Sequence, residues 1–307
     1  MTTVRQVGRT AMVRSTPRPR SRRVLRLLPM APAVALMAVF FVGPVVGAVY
    51  ISTTNTALTG PYAANPTSVG WQNFHQALTD PAVHTALLRT VIFVVACVAA
   101  QNGLGLALVL LMQHRLRAVR ALVSAIVVGA WVIPEVVAAF VWYTFLQSDG
   151  GTLNQLIGLL SLPGQTWLVT SPLLSVILAN VWRGSAFSML VYNAALQDVP
   201  GDILEAADMD GASYSRRTWH IVLPTMRRSA AANLLLTTLS TLGVFGLIWA
   251  MTAGGPADRS QTLPVLMYQE AFTFSKLGYG SAIALLLLAL GAVFAFVYMF
   301  MLRAEKR

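Results

Sequence analysis

Two ionisable side chains stand inside long apolar stretches of the sequence. Glu135 interrupts the run 120–146, and Arg183 interrupts the run 172–196. A charge at such a depth costs about 2.5–3.5 kcal/mol on membrane-insertion scales, so it faces a wet cavity or an opposite charge. We expect Glu135 and Arg183 to form an ion pair, or Arg183 to point at a substrate, for which a phosphorylated one would be suitable. Separate backbone or water partners for each side chain are the alternative.

Three hydroxyl side chains form a second candidate group. Thr237, Ser240 and Thr241 are spaced so that they share one face of a helix. Hydroxyls in this arrangement can bind polar groups of a solute, or they can bond back to their own or a neighbouring helix. The sequence leaves both interpretations open.

A short acidic segment lies between the apolar runs 172–196 and 229–253. Asp202, Glu205 and Asp208 recur three residues apart and mark one polar face of a predicted helix, while Ala206 and Ala207 are small and favour helix. Small residues allow close approach and carboxylates attract cations, so this helix can dock into a basic groove of a partner. A solvated loop that only joins two membrane spans is the alternative.

Proline, glycine and serine set the predicted bounds of this helix. Pro200 suits its first turn, and Gly211 suits the left-handed turn that ends it. Ser213 can cap a following short helix, and Pro224 then begins the entry into the next apolar run, 229–253.

The sequence lacks the motifs of ATP hydrolysis and of hydrolytic catalysis. A P-loop needs a Gly-rich turn followed by Lys and then Ser or Thr, but Lys276 precedes Leu277 and Lys306 precedes Arg307. There is also no His-Glu-x-x-His and no Gly-x-Ser-x-Gly, which disfavours a membrane-embedded hydrolase. We therefore predict a protein that is not an enzyme, with no catalytic or metal-binding residues, whose energy comes from a partner.

Composition indicates which elements must position these residues. The 307-residue chain is 56% hydrophobic and only 11% charged, whereas soluble domains have roughly 25% charged residues. A membrane-spanning helix needs about 20 apolar residues, and the sequence predicts an all-α membrane protein with six transmembrane helices. We also predict a short interfacial helix from Trp71 to Leu78. The predicted spans are 28–52, 86–112, 120–146, 172–196, 229–253 and 280–302.

Positive charge predicts the orientation of the spans. The net charge of +11 is concentrated in a basic tail, 1–27, in the second and fourth connections and in the end 303–307, whereas 53–83 and 147–171 hold no Lys or Arg. Positively charged loops stay in the cytoplasm. Both termini and the fourth connection, 197–228, are therefore predicted to be cytoplasmic, and the distribution indicates membrane topology rather than nucleic-acid binding.

The fourth connection also carries a recognisable pattern. It consists of Glu205-Ala206-Ala207, then three residues and Gly211, then nine residues and Ile221, then one residue and Leu223-Pro224. This pattern resembles the EAA loop of permeases from ATP-binding-cassette (ABC) importers. Flanking residues resemble the sugar branch of that family, which includes the maltose and glycerol-phosphate permeases, and the resemblance covers 28–302. These flanking residues are Asn180 to Arg183, Phe187, Leu196, Pro200, Thr252, Gly254 to Pro256, Tyr268, Phe272 and Gly278 to Gly280.

The resemblance implies the type I ABC importer permease fold and a coupling role for this loop. In that family the loop is a coupling helix that docks on a cytoplasmic ATPase. The implied partners are a second, distinct permease, two ATPase subunits that hold ATP and magnesium, and an extracytoplasmic binding protein, all at a bacterial inner membrane, with no cofactor in this chain. The implied coupling residues are Glu205, Ala206, Ala207, Asp210, Gly211, Ile221, Leu223 and Pro224.

The resemblance also implies a sugar-binding site and inward sugar transport by alternating access. A permease for an amino acid or a peptide is the alternative within the importer class. A secondary transporter is less favoured, because it would not need the EAA loop. Positions that match the sugar-lining residues of maltose-type permeases are Arg183, Gly184, Phe187, Thr237, Ser240, Thr241 and Val244.

Overall fold

A computed structural model describes residues 31–113 and 115–304, with side chains up to residue 300. The predicted tail 1–27 and residues 305–307 lie outside the described residues. The described residues are helical and contain no strand beyond an isolated bridge between Thr54 and Ser68. In chain order the helices are α1 (Ala31–Ser52), α2 (Pro61–Ala64), α3 (Gln72–Thr79), α4 (Pro81–Met112), α5 (Arg117–Val132), α6 (Glu135–Leu146), α7 (Thr152–Leu159), α8 (Trp167–Thr170), α9 (Pro172–Gln197), α10 (Gly201–Met209), α11 (Tyr214–Leu242), α12 (Gly246–Thr252), α13 (Leu263–Tyr268) and α14 (Leu277–Ala304).

Four of these helices are long and apolar enough to cross a membrane by themselves, namely α1, α4, α9 and α14. Two bent pairs, α5 with α6 and α11 with α12, pass the same test when each pair is counted as one span. The described chain therefore has four to six candidate spans, and the upper number matches the six that the sequence predicts. Of the described residues, those from Ala31 to Gly47 belong to one compact unit and those from Ala48 onward to another.

The third predicted span, 120–146, differs from a straight helix. It consists of α5 and α6, which meet at a bend of 105°. Ile133 has an extended ψ of 129°, as expected for the residue before a proline, and Pro134 precedes the first residue of α6. The proline therefore turns what hydropathy alone presents as one helix into two.

The fifth predicted span, 229–253, also differs from the prediction. Its helix, α11, begins at Tyr214, and Pro224 lies inside it rather than at its start. A π turn at Thr218–Val222 ends two residues before Pro224. Because proline has no N–H and crowds the preceding turn, such a wider turn allows the helix to continue through it. The same span bends by 46° between α11 and α12.

The short helix predicted for Trp71 to Leu78 is observed as α3, one residue later at each end, and its place at a membrane interface stays a prediction. Trp71 caps its start and lies against Phe74, with ring centroids 5.1 Å apart. Asn73 donates its side-chain amide to the carbonyls of Ser52 and Thr54, at 2.9 and 2.8 Å. These two bonds attach α3 to the last residue of α1 and to the connection after it, within the unit that begins at Ala48.

The core that surrounds the candidate site is built mainly from α4, α6, α9 and α12. Phe93, Val176, Leu247 and Ile248, contributed by three of these helices, are almost completely buried in one apolar cluster. Helices α4 and α9 share the most extensive contact in the chain. Burial of these side chains fixes the helices that carry the polar residues described below.

Candidate functional site

The residues predicted to line a substrate site come together in one cavity. Its volume is about 180 Å³, and it lies where α4, α5, α6, α9 and α11 meet. The cavity contains all seven residues implied by the family resemblance, and it adds Glu135 and three residues that sequence reasoning missed. Its lining consists of Gln101, Trp131, Glu135, Asn180, Arg183, Gly184, Phe187, Thr237, Ser240, Thr241 and Val244.

Arg183 bridges the break between α5 and α6. Its Nε donates to the carbonyl of Ile133 at 3.1 Å, and its Nη1 lies 3.4 Å from Oε1 of Glu135. Ile133 follows the last residue of α5, where a helix dipole favours positive charge, and Glu135 begins α6, where the dipole favours negative charge. The sequence suggested that Glu135 sits in the middle of a helix, whereas the structure places it at the start of one.

The two bent spans meet beside this ion pair. Gly246 is the first residue of α12, and a Cβ atom added to it would lie 3.2 Å from Oε2 of Glu135. The break between α5 and α6 therefore lies next to the break between α11 and α12. Breaks of this kind expose backbone polar groups, and in membrane transporters they occur where a site or a wet cavity accommodates them.

The three hydroxyl residues of α11 differ in their partners. Thr237 donates to the carbonyl of Asn233 at 2.7 Å and accepts from Nδ2 of Asn102 at 3.2 Å, so its hydroxyl bonds back to its own helix and to a neighbour. The hydroxyls of Ser240 and Thr241 form no hydrogen bond within the described chain. They line the cavity and remain available to a bound solute.

Sequence reasoning missed Gln101, Trp131 and Asn180 as lining residues. Gln101 is buried and donates to the carbonyl of Asn180 at 3.0 Å, across the interface of α4 and α9. Trp131 pairs with Phe187, with ring centroids 6.1 Å apart. A signal for the two amides was present, because polar residues inside apolar runs commonly face the interior of a membrane bundle. Trp131 gave no such signal.

Gly184 makes room for this amide contact. A Cβ atom at this position would collide with the amide of Gln101, lying 2.5 Å from its Cδ. The glycine therefore allows the Gln101 side chain to lie against α9 at the cavity wall.

The acidic segment of the fourth connection forms α10 as predicted. Gly211 has a positive φ of 70°. Its N–H donates to the carbonyl of Asp208, and that of Ala212 donates to the carbonyl of Ala207, both at 3.0 Å. This bonding pattern is a Schellman ending, which confirms the predicted left-handed turn. Ser213 caps the following helix, also as predicted, whereas Pro200 lies one position before the first residue of α10.

Most of the predicted coupling residues are accessible, and one is not. Glu205, Ala206, Asp210, Gly211 and Pro224 are exposed, and Ile221 and Leu223 are half-buried. Ala207 is buried, with 9% of its surface exposed, so it packs α10 against its own chain and does not add to the predicted small-residue surface.

Sequence reasoning missed an exposed methionine in this segment. Met209, the last residue of α10, is 89% exposed. Asp208 beside it forms an ion pair with Arg217 of α11, which fixes the orientation of α10 relative to that helix.

Comparison with known proteins defines the class to which this fold and site belong. Residues 101–306 match the binding-protein-dependent transport system inner membrane component family. The chain belongs to this family, and is thus a permease component of an ABC importer and a multi-pass membrane protein. The prediction of a permease rather than an enzyme is confirmed by the family and by the names of the relatives below.

Two relatives and one solved structure illustrate the similarity. The sulfoquinovosyl glycerol permease SmoG of Agrobacterium fabrum is 31% identical and the match covers 92% of each chain. The trehalose permease SugA of Mycobacterium tuberculosis is 33% identical over 97% of this chain and 95% of its own. A bacterial ABC transporter that imports the acidic polysaccharide alginate superposes with a TM-score of 0.79 at 19% identity, covering 94% of this chain and 98% of that one. The predicted importer permease fold is confirmed.

Proposed function

We propose that the chain forms part of the path by which a sugar or sugar derivative is carried inward by alternating access. The observation that carries this proposal is the cavity. It combines the unbonded hydroxyls of Ser240 and Thr241 with the aromatic pair of Trp131 and Phe187. Sugars present hydroxyl groups and flat apolar faces, and this lining offers a partner for each. The names of the two relatives, which refer to trehalose and to sulfoquinovosyl glycerol, support the same class of solute.

The energy for transport would enter through α10. Its exposed surface combines the carboxylate of Glu205 with the apolar tip of Met209, as suits a groove with a basic rim and an apolar floor. Helix α11 begins next to α10 and ends at the cavity, where it contributes Ser240 and Thr241. A displacement of α10 would therefore be transmitted along one helix to the solute site.

The remaining subunits follow from the class of importer. We expect a second, distinct permease, two cytoplasmic ATPase subunits that hold ATP and magnesium, and an extracytoplasmic binding protein, assembled at a bacterial inner membrane. The family description, which specifies dependence on a binding protein and an inner-membrane location, supports this assembly. This chain would itself hold no cofactor.

Site-specific crosslinking tests the docking of α10. Met209→Cys in the assembled importer should crosslink to the ATPase subunit on photolysis after labelling with a maleimide–benzophenone reagent, which needs no thiol on the partner. Cys97, the only cysteine of the chain, is buried and will not compete. Asp149→Cys, at an exposed position in a different connection, is the matched control and should capture no ATPase. The coupling role is wrong if Met209→Cys captures no ATPase from an importer that hydrolyses ATP.

Uptake by the same importer tests the solute. Proteoliposomes that contain the full assembly and the binding protein should accumulate radiolabelled trehalose or another sugar when supplied with ATP. Accumulation of amino acids or peptides in place of any sugar would contradict the proposal.

A further inference from the structure

The lining of the cavity carries no net charge. Arg183 and Glu135 are the only ionisable side chains among its residues in the described part of the chain. Their side chains keep 22% and 35% of their surface exposed, so both reach the cavity. Both side chains lie at the break in the third span. Arg183 is held there by Glu135 and by the carbonyl of Ile133, to which it donates.

This arrangement affects anions and neutral solutes differently. The guanidinium of Arg183 already has an opposite charge in contact, so an anionic group that approached it would also approach the carboxylate of Glu135. A hydroxyl group has no such conflict, because it can donate to a carboxylate oxygen and accept from a guanidinium N–H. The pair therefore offers one donor and one acceptor, side by side, to an uncharged solute.

We infer that this cavity selects uncharged polyhydroxylated solutes and rejects anionic ones, and that Glu135 is the residue that determines this selectivity. The inference rests on the proposed function and narrows its substrate class. Membership of the family does not decide the question, because one relative is named for sulfoquinovosyl glycerol, which carries an anionic sulfonate, and a structural neighbour imports an acidic polysaccharide. The feature of this chain that bears on the question is the carboxylate of Glu135, 3.4 Å from the guanidinium of Arg183.

A pair of probes that differ by one phosphate group tests the inference. Trehalose and trehalose 6-phosphate share one sugar skeleton. The importer is placed in lipid nanodiscs without the binding protein, so that the selectivity of the binding protein does not contribute. Binding of each sugar is followed by ¹⁹F NMR of 5-fluorotryptophan at Trp131, which lines the cavity. The resonance is assigned with Trp131→Phe. We expect trehalose 6-phosphate to bind about tenfold more weakly than trehalose, since like-charge contacts oppose binding.

The variant Glu135→Gln should reduce this discrimination, because it leaves the charge of Arg183 uncompensated toward the solute. The control Asp149→Asn removes a carboxylate at an exposed position outside the cavity and should leave the ratio of the two affinities unchanged. The inference is overturned if trehalose 6-phosphate binds the unmodified importer as tightly as trehalose, or if Glu135→Gln leaves the ratio unaltered. If neither sugar moves the Trp131 resonance and the proteoliposomes take up no sugar, the proposed function itself fails, which is a distinguishable result.

Discussion

Arg183 performs a structural task that arises from the break in the third span. A carbonyl at the end of a helix has no intrahelical partner, and in apolar surroundings an unsatisfied polar group is costly. Arg183 satisfies the carbonyl of Ile133 and pairs with Glu135 at the same time. The side chain that we assign to the solute cavity thus also stabilises the bend that shapes the cavity.

A double-mutant cycle on this pair separates the two contributions. Arg183→Leu leaves a carboxylate without its cation and a carbonyl without its donor, and it should lower the free energy of unfolding by about 1–3 kcal/mol. Glu135→Leu should cost less, because Arg183 keeps the carbonyl of Ile133. The double variant should be more stable than the sum of the two losses predicts, since it leaves no unpaired charge. Thermal unfolding in detergent measures all three.

Arg115→Leu provides the control for this cycle. Arg115 is exposed in the connection between α4 and α5, so its replacement should change stability by no more than about 0.5 kcal/mol. Strictly additive losses in the cycle would mean that Arg183 and Glu135 do not depend on each other.

At the scale of elements, the contact between α4 and α9 depends on one glycine. A Cβ atom at Gly105 would lie 2.6 Å from Cβ of Ser188 and 2.7 Å from the backbone nitrogen of Met189. Both helices carry cavity residues, Gln101 on α4 and Arg183 on α9. Close approach through small residues is a common way for membrane helices to associate, and here it sets the distance across the cavity wall.

Alanine substitution in α4 tests this contact. Gly105→Ala should destabilise the protein by about 1–3 kcal/mol, because backbone atoms of α9 cannot move aside as a flexible side chain can. Gly103→Ala is a closely matched control, since a Cβ atom at Gly103 meets nothing within 4 Å. That control should be neutral or stabilising by up to about 1 kcal/mol from helix propensity. Equal unfolding temperatures for the two variants would show that the close approach is unimportant.

Hydropathy predicted six spans, which is the upper end of the four to six candidate spans in the described chain, and it could not predict their shape. Hydropathy depends only on the length and composition of an apolar run. A straight helix and a bent pair such as α5 with α6 can therefore give the same hydropathy. Pro134 was a local signal for the first bend, because proline disfavours helix at the residue before it. The second bend follows Gly243 and involves no proline, so its position depends on tertiary packing that the sequence does not display.

The candidate site was predictable only in part, for similar reasons. Helical spacing predicted that Thr237, Ser240 and Thr241 share one helix face. The position of Glu135 and Arg183 deep inside apolar runs predicted that both face a cavity or an opposite charge. No local pattern indicates that α5 brings Trp131 against Phe187 of α9, because that contact depends on the bend after α5. The exposure of Met209 likewise depends on how α10 packs against its own chain.

At the scale of the whole molecule, the proposed mechanism requires α10 and the cavity to be mechanically connected. Helix α11 extends from Tyr214, near α10, to Leu242, near the cavity. Tyr214 also donates its hydroxyl to the carbonyl of Leu110 at 3.2 Å, close to the end of α4. The segment around α10 is therefore attached to two helices that line the cavity, α4 and α11, and under the proposed mechanism its movement would act on both walls.

The orientation of this assembly in the membrane is the remaining prediction. The third connection, 147–171, holds no Lys or Arg, whereas the fourth, 197–228, holds Arg216, Arg217, Arg227 and Arg228. Positively charged connections remain in the cytoplasm, so Asp149 should face outward and Met209 inward. In intact cells that lack the ATPase partner, a membrane-impermeant maleimide should label Asp149→Cys and not Met209→Cys. After permeabilisation it should label both, while the unmodified protein stays unlabelled because Cys97 is buried. Labelling of Met209→Cys from outside would place α10 beyond the reach of any cytoplasmic ATPase, and the coupling mechanism would then be impossible.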